Sequence, residues 1–326
     1  MSKPRIYVTR QIPPENIAAL SVDFDVEVNM EDRALSRDEL KEKIRGVSAV
    51  VSLLTDTIDA EILDAAGPGC RIVANYAVGY NNFDLAAATQ RGIILTNTPG
   101  VLDDATATHT FTLLLAVARR IAEADKYVRD GKWRGWAPMF FIGLDVDRRV
   151  LGIAGLGRIG KNVVRKARAF DMQIIYHDVQ RDAAFEAETG ARFVDKATLL
   201  SEADFLTLHV PLLPATRHYI GAAELKQMKP TAVLINASRG PVVDEQALVQ
   251  ALREKWIFGA GLDVFEDEPA LAPGLTELDN VVIVPHIASA TTGTRLAMGQ
   301  IVVGNVQKVL NGLPPDTCVN PEVLRK

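Results

Sequence analysis

The stretch of sequence that decides the fold is VLGIAGLGRIGKNVVRKARAFDMQIIYHD, residues 150–178. An apolar run opens it, a glycine-rich turn and a helical pattern follow, and a second apolar run ends at Asp178. The turn carries three glycines spaced as G-x-G-x-x-G, and Asp178 lies 18 residues beyond the last of them. Because strand, turn, helix and second strand occur in that order, the stretch predicts a βαβ dinucleotide-binding unit rather than a glycine-rich structural turn.

Each glycine of this turn has a distinct predicted role. Gly155 permits the tight turn after the strand, Gly157 lets the backbone approach a pyrophosphate, and Gly160 lets helix and strand pack closely. Arg158 and Ile159 begin the helix, whose N-terminal N–H groups and partial positive charge suit phosphate groups. We therefore predict that this turn binds the phosphates of a dinucleotide cofactor such as NAD.

Asp178 predicts which form of the cofactor is preferred. Its carboxylate would accept hydrogen bonds from the ribose hydroxyls and would repel a 2′-phosphate. Arg181, three residues further on, is an opposing feature, since it could turn toward a phosphate. We judge Asp178 the stronger influence and expect NADH to be preferred over NADPH.

Composition narrows the classes of function. The 326-residue chain carries a formal net charge of −5, which argues against nucleic acid and anionic membrane surfaces as partners. Its two cysteines, Cys70 and Cys318, are too far apart in sequence to suggest a disulfide framework or a thiolate metal site. The N-terminus shows no signal-peptide pattern, and no apolar run is long enough to span a bilayer. We expect a cytoplasmic protein without a metal.

Short β-branched runs alternate with helical patterns along the chain, which is typical of parallel sheets with helices on both faces. Five strand-like runs lie in the first hundred residues, and six follow the middle of the chain, the fifth of these at Gly261–Val264. A periodic stretch from Asp103 to about Arg129 predicts one long helix, with Asp103 as its N-cap. A last helical pattern runs from about Thr291 to Leu310.

The position of the glycine turn near mid-chain predicts the domain organisation. A nucleotide-binding domain inserted into another domain would place the turn there. We predict an α/β protein of two doubly wound, Rossmann-like parallel-sheet domains. Residues 101–287 would form the NAD-binding domain, and residues 1–100 and 288–326 the substrate-binding domain.

Three chemistry-bearing residues lie near the ends of predicted strands in the second half of the chain: Arg239, Glu268 and His286. In open α/β sheets, ligands bind at the carboxyl ends of the strands. Reduction of a 2-keto acid needs a cation for the carboxylate, a proton donor for the keto oxygen and a hydride for the carbon. Arginine suits the first, histidine beside a glutamate the second, and a nicotinamide cofactor supplies the third. Taken singly, each residue could equally be structural or solvated.

The surrounding sequence resembles the D-isomer-specific 2-hydroxyacid dehydrogenase family over nearly the whole chain. Besides the glycine turn, the stretches that carry the resemblance are Asn236–Asp244, Gly261–Pro269 and Pro285–Ser289. Together these stretches are highly specific, although each short motif alone is weak.

The resemblance implies roles for individual residues. Arg239 would bind the substrate carboxylate and carbonyl, His286 would be the acid/base, and Glu268 would be its partner. Asp263 would hold the nicotinamide carboxamide. The other cofactor contacts implied are Thr108, Gly155, Gly157, Arg158, Ile159, Gly160, Asp178, Val210, Pro211, Thr216, Ala237 and Ser238. The substrate contacts implied, besides Arg239 and His286, are Leu54, Val78 and Gly79.

Within the family, the chain is most similar to glyoxylate/hydroxypyruvate reductases, also called glycerate dehydrogenases, on Ser52–Asp56, Trp133–Pro138 and Pro285–Ala290. This likeness implies NADH-dependent reduction of glyoxylate or hydroxypyruvate to glycolate or D-glycerate. Two alternatives stay open: a reductase for a longer or phosphorylated 2-keto acid, and an NAD-sensing, corepressor-like binding protein. The family resemblance also implies a homodimer in which the aromatic-rich segment Tyr127–Phe141 contacts the partner subunit.

Overall fold

The computed structural model describes residues 3–325 and divides the chain into two compact units. Unit 2 is Asp103–Ser289, and unit 1 is formed by the chain up to Leu102 together with the segment from Ala290 onward. Each junction lies two residues beyond the boundary expected from the sequence. The middle of the chain therefore forms one unit, and its two ends form the other.

Both units are built on parallel β-sheets. Within residues 3–325 the strands are β1 (Arg5–Val8), β2 (Asp25–Val28), β3 (Ala49–Ser52), β4 (Ile72–Asn75), β5 (Ile94–Thr96), β6 (Val150–Ala154), β7 (Gln173–His177), β8 (Arg192–Phe193), β9 (Phe205–Leu208), β10 (Val233–Asn236), β11 (Gly259–Leu262) and β12 (Val281–Ile283). The sheet of unit 1 has the order β2-β1-β3-β4-β5 and that of unit 2 the order β12-β11-β10-β9-β6-β7-β8. The paired strands are parallel throughout, which confirms the predicted fold class.

Helices connect the strands. The described residues form α1 (Pro14–Ser21), α2 (Arg37–Lys43), α3 (Ala60–Ala66), α4 (Leu85–Gln90), α5 (Asp103–Ala118), α6 (Ile121–Arg129), α7 (Arg158–Ala167), α8 (Ala183–Thr189), α9 (Lys196–Glu202), α10 (Ala222–Leu225), α11 (Glu245–Arg253) and α12 (Thr292–Leu310). Short 3₁₀ turns occur at Arg168–Phe170, Pro214–Thr216, Gly240–Val242, Leu275–Glu277 and Pro321–Arg325. No helix within residues 3–325 combines the length and the apolar character that crossing a bilayer requires.

Local sequence explains where many of these helices begin. At their N-caps, a short polar side chain accepts an N–H from the first turn, which satisfies a donor that the helix itself cannot. These caps are Ser36, Asp59, Asp84, Asp182, Asp195, Asp244 and Thr291. The central strands β3, β4, β9, β10 and β11 are buried along their whole length, as expected when helices cover both faces.

The prediction of one long helix from Asp103 to Arg129 was wrong. The helix ends at Ala118, and a second helix, α6, begins after Arg120, whose φ of 52° is left-handed. The carbonyl of Ala118 accepts the N–H of Leu144 at 2.8 Å instead of continuing the helical ladder. Asp103 is the first residue of α5 rather than its N-cap. The break depends on a distant backbone donor, which helical periodicity does not reveal.

Two strand predictions in unit 2 also need correction. The strand expected at Gly261–Val264 is displaced to Gly259–Leu262. A Cβ at Gly259 would lie 2.8 Å from Val117 of α5, and one at Gly261 would lie 3.1 Å from Cβ of Leu113. Close packing of α5 therefore requires small residues here, and they conceal the strand from a pattern of β-branched residues. The two-residue strand β8 was missed, because so short a strand has no periodicity.

Candidate active site

The glycine turn between β6 and α7 has the geometry that requires glycine at two positions. Gly155 has φ +91°, and a Cβ there would lie 2.8 Å from the carbonyl carbon of His209. A Cβ at Gly160 would lie 2.4 Å from the carbonyl oxygen of Gly155. Side chains at either position would force β6, α7 and the chain after β9 apart, so both glycines are needed for packing within the protein.

Gly157 differs from its two neighbours. Apart from Gly157 itself and its two chain neighbours, no residue in the range 3–325 has an atom within 4 Å of the place where its Cβ would stand. Gly157 is also the N-cap of α7, and it has no side chain with which to cap the first turn. Arg158 reaches across to α5, where its Nε lies 3.0 Å from Asp103 Oδ2. The start of α7, including Ile159, thus offers backbone donors and open space, which suits a phosphate group.

Asp178 follows β7 and faces this turn. Its Oδ2 accepts the N–H of Leu156 at 2.7 Å. Arg181 points elsewhere: its guanidinium binds Glu186, with Nη2 2.7 Å from Oε2 and Nε 2.9 Å from Oε1. The carboxylate of Asp178 is therefore fixed beside the glycine turn, while the nearest arginine in sequence is already paired.

The chain after β9 contains the residues expected at the adenosine half of a cofactor. Val210 and Pro211 follow this strand, and Thr216 closes the loop by donating to the carbonyl of Pro211 at 2.6 Å. The hydroxyl of Thr216 also accepts the N–H of Leu213 at 2.8 Å. Before the loop, His209 is partly buried next to Thr207, and the loss of solvent around its ring lowers its pKa to about 4. Its imidazole is neutral at pH 7.

Arg239 follows β10, on a segment organised by Asn236. The fully buried Asn236 accepts the N–H and the hydroxyl of Ser238 through Oδ1, and it donates to the carbonyl of Arg239 at 2.9 Å. Burial lowers the pKa of Arg239, and the nearby carboxylate of Glu268 opposes this effect. Ala237 lies on the same segment. The role of Asn236 was not predicted from the sequence, because it depends on a turn that the residue type alone does not indicate.

Gly240 brings this segment against the loop that carries Glu268. A Cβ at residue 240 would lie 1.8 Å from the carbonyl oxygen of Phe265, so only glycine fits. Glu245, another residue that the sequence analysis missed, holds the same loop from α11. Its carboxylate is 5% exposed and accepts the N–H groups of Glu266 and Ala272, each at 2.8 Å. The close approach of Gly240 and the hydrogen bonds of Glu245 therefore fix the loop before and after Glu268.

Glu268 and His286 form a pair. His286 Nδ1 lies 2.9 Å from Glu268 Oε2, and Glu268 Oε1 accepts the N–H of Phe265 at 3.0 Å. Burial raises the pKa of Glu268, but the hydrogen bonds with His286 and with the N–H of Phe265, together with the positive charges of His286 and Arg239, outweigh it, so the net shift is downward. His286 follows β12 with a left-handed φ of 53°. In the part of the chain that the structure describes, no group of three or more His, Cys, Asp or Glu could hold a metal ion.

Asp263 follows β11 and is fully buried. Its Oδ1 accepts the N–H of Ile287 at 2.7 Å, and its Oδ2 that of Ala288 at 3.0 Å. His109 of α5 approaches from another side, with Nε2 3.1 Å from Oδ1. His109 was not predicted as a site residue, because it lies in an apolar helix far from Asp263 along the chain. Thr108, its neighbour, is exposed and donates to the carbonyl of Asp104.

The expected substrate contacts Leu54, Val78 and Gly79 belong to unit 1. Leu54 lies in the turn after β3, and the other two lie in the loop after β4. Two asparagines fix that loop: Asn75 donates to the carbonyl of Gly79 and Asn97 to that of Val78, each at 2.8 Å. The peptide group that joins Val78 to Gly79 is planar and trans. The N–H of Gly79 therefore points in the direction opposite to the Val78 carbonyl, which accepts the bond from Asn97.

The fold and these side chains define a class of protein. A glycine turn with an acidic residue after the second strand is a dinucleotide site, and the carboxyl edge of the same sheet carries an arginine and a histidine–glutamate pair. This combination defines an oxidoreductase that uses a nicotinamide cofactor.

Comparison with known proteins gives the family. Residues 111–288 match the family model described as D-isomer specific 2-hydroxyacid dehydrogenase, NAD binding domain. A glyoxylate reductase of Thermococcus onnurineus is 51% identical over 99% of this chain and 97% of its own length. The chain belongs to the D-isomer specific 2-hydroxyacid dehydrogenase family.

Solved structures agree with this assignment. A protein of Thermus thermophilus is 42% identical, with a TM-score of 0.92 over 97% of this chain and 99% of its own. An NADPH-dependent glyoxylate/hydroxypyruvate reductase of Sinorhizobium meliloti, solved with NADP and malonate, is 34% identical, with a TM-score of 0.84 over 99% of this chain and 98% of its own. The family resemblance inferred from the sequence is confirmed.

Proposed function

We propose that this enzyme reduces a small 2-keto acid, glyoxylate or hydroxypyruvate, to the corresponding D-2-hydroxy acid, glycolate or D-glycerate. The observation that carries the proposal is the placement of Arg239 close to the His286–Glu268 pair, at the ends of strands in one sheet. The glyoxylate reductases that are about half identical to this chain over nearly its full length support the choice of substrate.

Arg239 binds the substrate carboxylate in this proposal, because its planar guanidinium can donate two parallel hydrogen bonds to it. His286 donates a proton to the keto oxygen from Nε2, since Nδ1 faces Glu268. Glu268 orients the ring and supplies the compensating negative charge. When bound, the reduced nicotinamide supplies the hydride that the carbonyl carbon accepts. One hydride and one proton convert the keto group to the alcohol, and His286 then regains a proton from solvent.

The residues of unit 2 fit a nicotinamide dinucleotide. Gly157 leaves open space at the start of α7, where backbone N–H groups can donate to a phosphate. The proposed cofactor contacts are Thr108, Gly155, Gly157, Arg158, Ile159, Gly160, Asp178, Val210, Pro211, Thr216, Ala237, Ser238 and Asp263. We assign unit 2 as the NAD-binding domain and unit 1, with Leu54, Val78 and Gly79, as the substrate-binding domain.

A steady-state panel tests the proposed function. It compares glyoxylate, hydroxypyruvate, pyruvate, a bulky 2-keto acid and a phosphorylated one, each with NADH. The highest kcat/KM is expected for glyoxylate or hydroxypyruvate. A preference for the bulky or phosphorylated acid would favour the other reductase. NADH binding without turnover of any acid would favour an NAD-sensing protein instead.

We also propose that NADH is preferred over NADPH. Asp178 lies beside the glycine turn, where a 2′-phosphate would face a like charge and would replace a ribose hydroxyl that could donate to the carboxylate. Arg181 would have to leave Glu186 before it could neutralise that phosphate. The NADPH-dependent relative from Sinorhizobium meliloti shows that the family admits either cofactor, so the choice depends on individual residues.

Asp178→Ser tests the cofactor preference. Wild type should favour NADH in kcat/KM by roughly a hundredfold, because about 3 kcal/mol is a plausible sum of repulsion and an unpaired acceptor. The variant should lose most of that ratio. Asp195→Ser is the matched control, because Asp195 caps α9 and serine can cap it as well. A wild type that prefers NADPH, or an unchanged ratio in Asp178→Ser, would contradict the proposal.

The third proposal is a homodimer formed through α6 and the segment that follows it. No residue of α6, which lies wholly in the described range, is buried. Its neighbourhood exposes large apolar side chains: Ile121, Val128, Trp133, Trp136, Met139, Phe140 and Ile142. So large an apolar surface is unusual on a monomer and suits a symmetric contact with a second copy.

Light scattering tests the dimer. Wild type at micromolar concentration should have the mass of two chains, and Trp136→Glu should shift it toward one. Trp136 is 85% exposed, so the substitution should cost little folding stability. Val22→Glu, at a residue of unit 1 that is 70% exposed, is the control and should leave the mass unchanged. A monomeric wild type would refute the dimer.

We propose the cytoplasm as the location. Cys70 and Cys318 are both free thiols, and burial raises the pKa of Cys70 to about 12. Unpaired, unreactive cysteines suit a reducing compartment. Fractionation of cells that produce the native chain tests this proposal, and recovery outside the cytoplasmic fraction would contradict it.

A further inference from the structure

The backbone at His286 is held in an unfavourable conformation. Its φ of 53° is left-handed, which costs a non-glycine residue about 1 kcal/mol or more. Its N–H donates to the carbonyl of Val284 at 3.0 Å, across Pro285, so the turn is tight. A strained turn persists only when its surroundings fix it, and here the turn determines where the imidazole points.

Asp263 provides this fixation. The two residues after His286 donate their N–H groups to its two carboxylate oxygens, at 2.7 and 3.0 Å. The carboxylate is fully buried at the end of β11, so water does not compete for these bonds. A charged acceptor shared by consecutive N–H groups is stronger than a neutral one. The side chain thus anchors the turn of His286 to the neighbouring strand.

His109 approaches the same carboxylate from α5. Its Nε2 lies 3.1 Å from Asp263 Oδ1, and its side chain is only 16% exposed. Within residues 3–325 this nitrogen has no well-aligned hydrogen-bond acceptor, so the imidazole and the carboxylate meet in a close polar contact rather than a hydrogen bond. A buried polar ring directed at a buried carboxylate is costly unless the pair interacts favourably. Three elements, α5, β11 and the turn after β12, therefore meet at Asp263.

We propose that His109 and Asp263 are positioning residues for the reaction, and that they act by fixing the backbone turn that carries His286. The inference rests on the proposed function and extends it, because the pair need not touch substrate. It also differs from a role of Asp263 toward the nicotinamide, which would change cofactor affinity. Both oxygens of this carboxylate accept backbone N–H groups, and Oδ1 also faces Nε2 of His109.

Asp263→Asn tests the carboxylate. An amide keeps the size but replaces one acceptor with a donor, so one of the two backbone bonds is lost. We expect kcat to fall about tenfold or more, since misplacing a catalytic group is costly, while the Kd for NADH changes less than about threefold. An unchanged kcat, or a loss confined to NADH affinity, would overturn the proposal.

A double-mutant cycle separates positioning from other effects. If Asp263 acts through His286, then Asp263→Asn should reduce the residual kcat of His286→Gln by less than about threefold. If Asp263→Asn lowered kcat as much in the His286→Gln variant as in wild type, the proposal would be overturned. Loss of a cofactor contact or general damage to the fold would lower kcat whether or not the imidazole is present. Asp204→Asn is the matched control: this carboxylate accepts the N–H of Val150 at 2.9 Å, at the start of β6. It should leave kcat near that of wild type.

Substitutions of His109 test the second member of the pair. His109→Phe removes the ring nitrogens at similar volume and should lower kcat in the same direction as Asp263→Asn. His109→Gln returns a polar amide near the position of Nε2 and should restore much of the activity. Equal activity of the two variants would overturn the role of His109.

Hydrogen exchange gives a readout that does not need turnover. In cofactor-free protein, Asp263→Asn and His109→Phe should speed exchange in peptides that contain Ile287 and Ala288, but not in peptides from β1. Unchanged exchange would overturn the anchoring. If wild type reduced no 2-keto acid, the proposed function and the catalytic half of this inference would fail together, and exchange would still decide the anchoring.

Discussion

The first strand of each sheet leads into a turn, and the two turns have opposite character. After β1, the hydroxyl of Thr9 donates to Asp56 Oδ2 at 2.5 Å, and the same carboxylate oxygen accepts the N–H of Leu53 at 2.8 Å. After β6, Gly155 turns the chain and Gly157 borders open space. Both turns lie where the strand order reverses, the usual ligand site of such sheets. Unit 1 fills this place with its own side chains, and unit 2 leaves it open.

The carboxyl edges of the two sheets differ as well. All five histidines of the chain belong to unit 2: His109, His177, His209, His218 and His286. Unit 1 fixes the loop after β4 with two uncharged amides, Asn75 and Asn97. The two units therefore share an architecture but not a chemistry, and function depends on the residues after each strand rather than on the sheet.

The largest expected effect concerns the carboxyl edge of the sheet in unit 2. His286→Ala should lower kcat by about 10²- to 10⁴-fold, the usual share of a general acid, with little change in the Kd for NADH. Steady-state kinetics and fluorescence titration measure the two quantities.

His218→Ala is the matched control for this prediction. His218 is also a histidine with a left-handed φ and a glutamate partner, Glu266 at 2.6 Å, but we assign it no part in the reaction. It should keep kcat within about threefold. Equal losses of kcat in His286→Ala and His218→Ala would show that removing any histidine at this edge slows the reaction, and would contradict the role of His286 as the acid.

The next effect is a pH dependence of stability that arises from His209 in unit 2. Burial lowers the pKa of His209 to about 4, against about 6.5 for an exposed imidazole. Between these values the unfolded chain binds a proton and the folded chain does not, so the free energy of unfolding decreases as pH falls. The full difference corresponds to about 3 kcal/mol.

Urea denaturation of the cofactor-free protein at pH 7 and at about pH 4.5, near the lower end of this interval, measures the effect. His209→Gln should lose less stability than wild type between the two conditions. Parallel pH profiles for wild type and variant would show that His209 is not the source.

A smaller effect separates the glycines of the turn. Gly155→Ala should lower the free energy of unfolding by about 2 kcal/mol, because it adds left-handed strain and a contact with His209. Gly157→Ala should change stability by less than about 0.5 kcal/mol but weaken NADH binding about tenfold, since the methyl group enters the space for the pyrophosphate. Chemical denaturation measures the free energy of unfolding, and titration measures the affinity for NADH. If Gly155→Ala and Gly157→Ala changed the two quantities alike, the prediction would be contradicted.

The smallest effect belongs to unit 1. Asn97→Ala removes the donor to the carbonyl of Val78 and should raise KM for the keto acid about threefold, with kcat nearly unchanged, because the loop loses its fixed orientation. Asn29→Ala, at an equally buried asparagine that donates to the carbonyl of Thr9, is the control. A larger change in kcat than in KM would place catalytic chemistry in unit 1 as well.

Features encoded in short stretches were predictable from the sequence. The glycine turn and the alternation of strands and helices follow from local periodicity, and the structure has both. Glu268 and His286 were expected near one another from their positions after strands, and their side chains lie 2.9 Å apart. Their roles in the reaction stay proposals.

Features that depend on distant contacts were not predictable. The break after α5 depends on a bond from Leu144 to Ala118, and the position of β11 depends on the packing of α5. The partners of Asp263 lie 24 and 25 residues away along the chain, and His109 belongs to a helix before the glycine turn. No periodicity connects such residues, so only the folded chain reveals them.

The exposed aromatic segment has a spectroscopic consequence. The three tryptophans of the chain are Trp133, Trp136 and Trp256, all within unit 2, and the first two are more than half exposed. Indole emission shifts to shorter wavelength when water is excluded from the ring. Intrinsic fluorescence of this protein therefore reports mainly on unit 2, and a blue shift on raising the protein concentration would record burial of the aromatic segment without any added label.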